Sequence, residues 1–161
     1  MSNILKFPRK NVAAEQVNSC CKVSSAQAVW RGGAVTGCGA ISVASAEPAD
    51  KPYSFMARLA SGNSTNPEEL LAAAHASCFT RSLASVLQAA GHMPTELSTK
   101  AVVTLEPDGA GVRVTVAALT VRARIENLSK AAFEAFAWHA EQRSAISNVL
   151  GAQITLDAAL I

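Results

Sequence analysis

The sequence predicts an α+β fold built on one long helix. Three observations carry that prediction. Residues 66–88, NPEELLAAAHASCFTRSLASVLQ, place apolar side chains at helical spacing over more than five turns. Residues 27–46, 53–59 and 98–125 instead alternate in the two-residue period of half-buried strands. The order is three strands, the long helix, two strands, helices and a closing strand, which is not the strict β-α alternation of a parallel α/β fold.

The helix has its ends written into the sequence. Asn66 is a favoured N-cap, and Pro67 stands where the N–H has no intrahelical partner. Glu69 has the spacing of a capping box, which leaves Glu68 in the first turn without a capping duty. Leu70, Leu71, Ala74, Phe79, Leu83, Val86 and Leu87 form the apolar set, and Gly91 with Pro94 ends the helix.

Before the helix, QAVWRG–GAVTGCG–AISVAS reads as a hairpin with glycines at its turn and Trp30 as a packing anchor. Residues 48–52 read as a loop and Tyr53–Leu59 as a third strand that contains Arg58. After the helix, residues 98–105 and 111–125 form two strands joined at Pro107-Asp108-Gly109. Ser129 caps a second helix from Lys130 to about Arg143, with Phe133, Phe136 and Ala140 on one face. A short helix over 144–150 and a strand over 154–161 close the chain.

Composition narrows the function. The chain has 161 residues, enough for one domain with a real core. Half are hydrophobic and only 16% charged, which predicts more apolar surface than one copy can bury and hence an oligomer. A net charge of +2 excludes a strongly electrostatic partner such as nucleic acid or an anionic membrane. Cys20, Cys21, Cys38 and Cys78 include no CxxC pair, and His75, His92 and His139 are scattered, so zinc-type spacing is absent. No unbroken apolar run reaches about 18 residues, so no membrane span is expected. MSNILKFPRK lacks the apolar stretch of a secretory signal, and a reducing cytoplasm is the expected setting.

Cys78 is the candidate nucleophile. Residue physics alone favours a bland role, because a buried mid-helix thiol has a raised pKa and is inert. Glu68 lies ten residues earlier, roughly 15 Å along the axis, and the helix dipole fades within the first turn.

The helix motif NPEELLAAAHASCF, together with GAQITLDAAL near the C-terminus, resembles the OsmC/Ohr family of thiol peroxidases, on its OsmC branch. The likeness runs from about Ala28 to Leu160, leaving residues 1–25 as an N-terminal extension and 26–161 as an OsmC-like domain. The resemblance implies an intertwined homodimer of antiparallel sheets packed on the long helix, with active sites at the interface. It implies reduction of organic hydroperoxides by a peroxidatic cysteine at Cys78, with Arg58 as the catalytic arginine and Glu68 as the glutamate of the NPE triplet. No cofactor or metal is implied. A thiolate needs a cation beside it, and arginine stays charged when partly buried while a carboxylate holds its fork. Glu68 and Cys78 of one helix are too far apart to touch, so they serve different sites or meet across chains. His75 is read as a packing or hydrogen-bonding residue, Glu69 as a cap, and Tyr53 and Phe79 as pocket or core.

One departure bears on the mechanism. The family's resolving cysteine lies in a CP(V/I)S motif, and counting back without gaps from ITLD at 154–157 puts Ser144-Ala-Ile-Ser147 there. Serine cannot form the disulfide. Three outcomes follow: a one-cysteine peroxidase reduced by an external thiol or dithiol, a substitute thiol at Cys38, Cys20 or Cys21, or lost activity with an apolar ligand bound in the old pocket.

Overall fold

A computed structural model describes residues 26–31, 38–43, 51–54 and 65–161 of the chain. The α+β expectation holds. Strands β1 (Ala26–Arg31), β2 (Cys38–Val43) and β3 (Lys51–Ser54) form one antiparallel sheet in sequence order. Helix α1 (Pro67–Ala89) follows, then β4 (Glu96–Asp108), β5 (Gly111–Arg124), α2 (Lys130–Gln142), α3 (Ala145–Val149) and β6 (Gln153–Leu160). β3 starts two residues earlier than the alternation predicts and absorbs Pro52, which an edge strand tolerates. The remainder of the expected third strand, Arg58 included, lies outside the described residues, as do Cys20 and Cys21.

Helix α1 is terminated as its sequence demands. The Asn66 side chain accepts the Glu69 N–H at 2.8 Å. The Glu69 carboxylate in turn accepts from Thr65 Oγ1 at 2.8 Å. At the other end Gly91 takes φ +82, and the N–H groups of His92 and Gly91 return to the carbonyls of Leu87 and Gln88. That is a Schellman ending, and glycine meets its left-handed conformation at no steric cost.

Strands β4, β5 and β6 form the second sheet, and α1 and α2 cover one face of it. β6 runs parallel to β5, where an all-antiparallel arrangement was expected. The connection explains it: α2 and α3 carry the chain back across the sheet, and such a crossover delivers a parallel strand. The β4–β5 hairpin turns at Gly109-Ala110, two residues past Pro107, with Gly109 at φ +59.

A bulge sets which face of β5 is buried. Thr104 pairs with Val116 and Leu105 with Val114, leaving Thr115 as the extra residue. Beyond it the odd positions Ala117, Leu119, Val121 and Ala123 are buried. One inserted residue reverses the side-chain parity, so Val112 and Val114 belong to the other phase of the strand.

The core lies between this sheet and the helices. Phe79, Leu83 and Leu87 of α1 meet Leu119, Val121 and Ala123 of β5 and Phe133, Ala137 and Ala140 of α2. Thr80 Oγ1 and Thr99 Oγ1, 2.7 Å apart, tie α1 to β4. Phe79 is fully buried. Phe79→Ala should cost about 3–5 kcal/mol through lost burial and a residual cavity, read as a lowered midpoint in urea with an unchanged slope.

By length and hydropathy α1 does meet the criterion for crossing a membrane, contrary to the expectation from unbroken apolar runs. Its buried stripe is the domain core, however, and it carries Glu68, Glu69 and Arg81, so it reads as a packed helix.

Candidate functional site

Cys78 projects from the middle of α1 toward the start of α3, and its side chain is half-buried. Its nearest polar neighbour is Ser144, the N-cap of α3, whose hydroxyl donates to Cys78 Sγ at 3.5 Å. Ser144 is itself fully buried. The same oxygen accepts from the Ser147 N–H at 3.4 Å, so one hydroxyl both caps the short helix and faces the thiol. Ala145 and Ile146 are the first two helical residues, whose N–H groups have no intrahelical partner. Both are directed at the thiol.

These donors reverse the expectation of an inert thiol. Burial pushes the Cys78 thiol up. The Ser144 hydroxyl, the N–H groups of Ile146 and Ala145, and the Arg81 guanidinium outweigh that and hold it below the ordinary value of 9.0. The physical reason is that α1 alone offers a mid-helix thiol no donors, whereas the open N-terminus of a second helix supplies them. The rate of alkylation by iodoacetamide should therefore rise with pH and level off below the range of a free thiol. Ser144→Ala removes the strongest of the lowering groups. It should move that titration to higher pH, with far-UV circular dichroism confirming that the fold survives the lost cap. An unmoved titration would assign the activation to α3 and Arg81 alone.

His75, one turn before Cys78, is fully buried, and its Nε2 and Ser147 Oγ share a hydrogen bond of 2.9 Å. It links α1 to α3, which is the structural role expected of it. Desolvation lowers its pKa, so the ring is neutral at pH 7 and suited to a hydrogen bond rather than to an ion pair. His75 and Ser144 thus fix α3 against α1 on either side of the thiol.

Glu68 sits half-buried in the first turn of α1, ten residues and roughly 15 Å from Cys78 along the axis. The structure therefore does not bring the two together within one chain. Arg58 lies outside the described residues, and Cys38 is placed only by its backbone, paired with Ser54 at the end of β2. Among the described residues no group of histidine, cysteine, aspartate and glutamate could hold a metal ion.

Two contributors were missed in the sequence. Arg81 stands three residues after Cys78 on the same helix, a spacing that makes side chains neighbours and that could have identified it. The N–H groups of Ala145 and Ile146 left no signal, because no side-chain type encodes them.

The family model described as OsmC-like protein matches residues 60–159, which include α1, Cys78 and Ser144. Peroxiredoxin OsmC of Escherichia coli K12 is 37% identical over 131 residues, covering 81% of this chain and 92% of that protein. An organic hydroperoxide resistance protein OsmC from Legionella pneumophila superimposes with a TM-score of 0.68 at 21% identity, over 88% of this chain and 99% of the other. The organic hydroperoxide resistance protein OhrB of Bacillus subtilis gives 0.62 at 20% identity, over 84% and 98%. The two solved structures share the fold, while the family match and the 37% identity go further: this chain belongs to the OsmC-like protein family.

Proposed function

We propose that the chain is a thiol-dependent peroxidase that reduces organic hydroperoxides through Cys78. The observation that carries this reading is the Cys78 thiol held below its ordinary pKa by Ser144, the α3 N–H groups and Arg81. The names of the relatives point to the same chemistry. The Cys78 thiolate attacks the peroxide O–O bond and takes one oxygen, the alkoxide leaves and is protonated, and a sulfenic acid remains.

The working unit is a homodimer. In the most apolar stretch of α1 only 22% of the residues are buried within one chain, and Leu70 is among the exposed ones, so a partner has helix surface to cover. Among the described residues, the β1–β2–β3 sheet meets the rest of the chain only at points such as the Thr65 N–H to Pro52 carbonyl bond. Arg58 and Glu68 of one protomer act at Cys78 of its partner, which removes the 15 Å conflict on a single helix. Light scattering should give twice the chain mass at low micromolar concentration, and a monodisperse monomer would remove the interface site. Residues 26–161 form the catalytic domain and 1–25 an extension. The setting is cytoplasmic, where external thiols are available.

Ser144 occupies the resolving position, so the enzyme works with one cysteine, with Cys38, Cys20 and Cys21 as possible substitutes. Purified protein should consume cumene hydroperoxide in the presence of thiol, and Cys78→Ser should not. Without thiol, dimedone should trap Cys78 as the sulfenic acid. The serine at 144 also favours a second reading, a dimer that binds an apolar ligand at this site. Failure of Cys78 to oxidise under conditions that oxidise a control peroxidase would support it.

A further inference from the structure

A groove of about 580 Å³ runs between α1 and α2, starting at Arg81, one helical turn beyond Cys78. That volume lies within the range of small-molecule sites. Its polar wall is Arg81, His139 and Arg143, and its apolar part includes Val86 and Phe136. Among the described residues no acidic side chain lines it. The two guanidiniums reach it from the two elements that hold the site: Arg81 is three residues after Cys78, and Arg143 immediately precedes Ser144.

These two arginines differ from the others whose side chains are described. Arg113, Arg122 and Arg124 each face a carboxylate, at Asp108, Asp157 and Glu96. Arg81 and Arg143 have no carboxylate partner among the described residues. Arg81 acts on the thiol electrostatically, and Arg143 lines the same groove next to Ser144 in sequence. Two fork-shaped cations in a groove with no acid among its described lining form a receptor for a small anion within one helical turn of that sulfur.

The geometry points to this groove as the docking site of an anionic low-molecular-weight thiol, one bearing a carboxylate, that serves as the reductant of Cys78. The inference rests on the peroxidase reading. In the one-cysteine cycle, with Ser144 in place of a second thiol, both reducing equivalents come from outside the chain. A first thiolate attacks the sulfenic sulfur of Cys78, an S–S bond forms, and hydroxide leaves and is protonated to water. A second thiolate attacks the sulfur of the docked molecule in that mixed disulfide, releasing the Cys78 thiolate and a small-molecule disulfide. Two thiols are oxidised and one sulfenic acid is reduced. Arg81 and Arg143 hold the carboxylate while Phe136 and Val86 cover the aliphatic part.

Three thiols of similar size and different charge test this: 3-mercaptopropionate, 2-mercaptoethanol and cysteamine. Wild-type protein is first oxidised with one equivalent of cumene hydroperoxide, and sulfenic acid is quantified with dimedone before any thiol is added. Its loss is then followed with each thiol, with rates divided by thiolate concentration. At low ionic strength the anionic thiol should react about tenfold faster than the cationic one. The advantage should shrink in 0.5 M salt, since the groove is open to solvent. Arg143→Ala should collapse the charge ranking, Arg143→Lys should keep most of it, and Arg113→Ala should leave it unchanged. A ranking blind to charge, with sulfenic acid forming normally, overturns the docking site alone. Absence of sulfenic acid before thiol is added removes the peroxidase reading and the docking site with it. If Arg143→Ala slows oxidation by a carboxylate-bearing peroxide but leaves the thiol ranking intact, the groove belongs to the substrate and the proposal also fails.

Discussion

Ser144→Cys should give the protein a disulfide to Cys78 on peroxide treatment and protect it from irreversible over-oxidation. The Ser144 hydroxyl is already 3.5 Å from Cys78 Sγ. A sulfur in its place sits on a longer bond, and modest rotations of the two side chains close the rest of the distance. The disulfide would close a loop of 66 residues, worth up to about 4 kcal/mol in the chain-entropy model. Oxidised variant should therefore melt above its own reduced form, and dithiothreitol should abolish the difference. Before oxidation the variant should be the weaker protein, because cysteine is a poorer N-cap and serine caps are worth about 1 kcal/mol. Wild type under excess peroxide should instead proceed to sulfinic and sulfonic acid at Cys78, visible as mass gains that thiol cannot reverse. A wild-type disulfide from Cys78 to Cys38, Cys20 or Cys21 would show that a substitute thiol already resolves the cycle. A variant that stays fully reduced under peroxide would mean that the two positions cannot meet the bond's geometry.

How much of this was legible in the sequence differs by residue. The ends of α1 were, because Asn66, Pro67 and Gly91 each have one dominant local use. His75 was also readable, as a fully apolar helix face leaves a histidine there little but a hydrogen bond. The parity change in β5 was visible as two valine series out of phase, Val112–Val114 and Val121–Ala123, yet only the pairing with β4 identifies Thr115 as the inserted residue. The parallel course of β6 followed from two helices preceding it, and was overlooked because its own alternation resembles that of its antiparallel neighbours. The behaviour of Cys78 was the least legible. Its pKa is set by a hydroxyl 66 positions away and by main-chain donors, and mid-helix placement argues for the opposite direction. Family resemblance located Ser144 opposite the thiol in a way that spacing alone could not.

Arg58→Ala should cut the second-order rate of Cys78 with cumene hydroperoxide by about 100-fold, the cost of losing one preorganised donor to a developing oxyanion. It should do so while leaving the alkylation titration of Cys78 close to wild type. The distinction comes from the site itself. Cys78 already has Ser144, two N–H groups and Arg81 to favour its thiolate. A second guanidinium, the one proposed at Arg58, would then be most useful on the peroxide, where it would offset charge on the departing oxygen. Arg81→Ala should show the converse, an upward shift of the titration with a rate loss explained by the smaller thiolate fraction. If Arg58→Ala shifts the titration and the rate in proportion, its role is thiolate activation. If the rate stays within about threefold of wild type, Arg58 is outside the mechanism, since catalytic donors cost far more than that. The proposed placement of Arg58 across the interface is separately testable. Alone, Arg58→Ala chains should keep only about one hundredth of wild-type activity and Cys78→Ser chains none, but a mixed dimer would pair intact Arg58 from one with intact Cys78 from the other. After random exchange half the dimers are mixed and each has one complete site of two, so roughly a quarter of wild-type activity should return. No recovery in confirmed mixed dimers would place Arg58 and Cys78 of the same chain in one site.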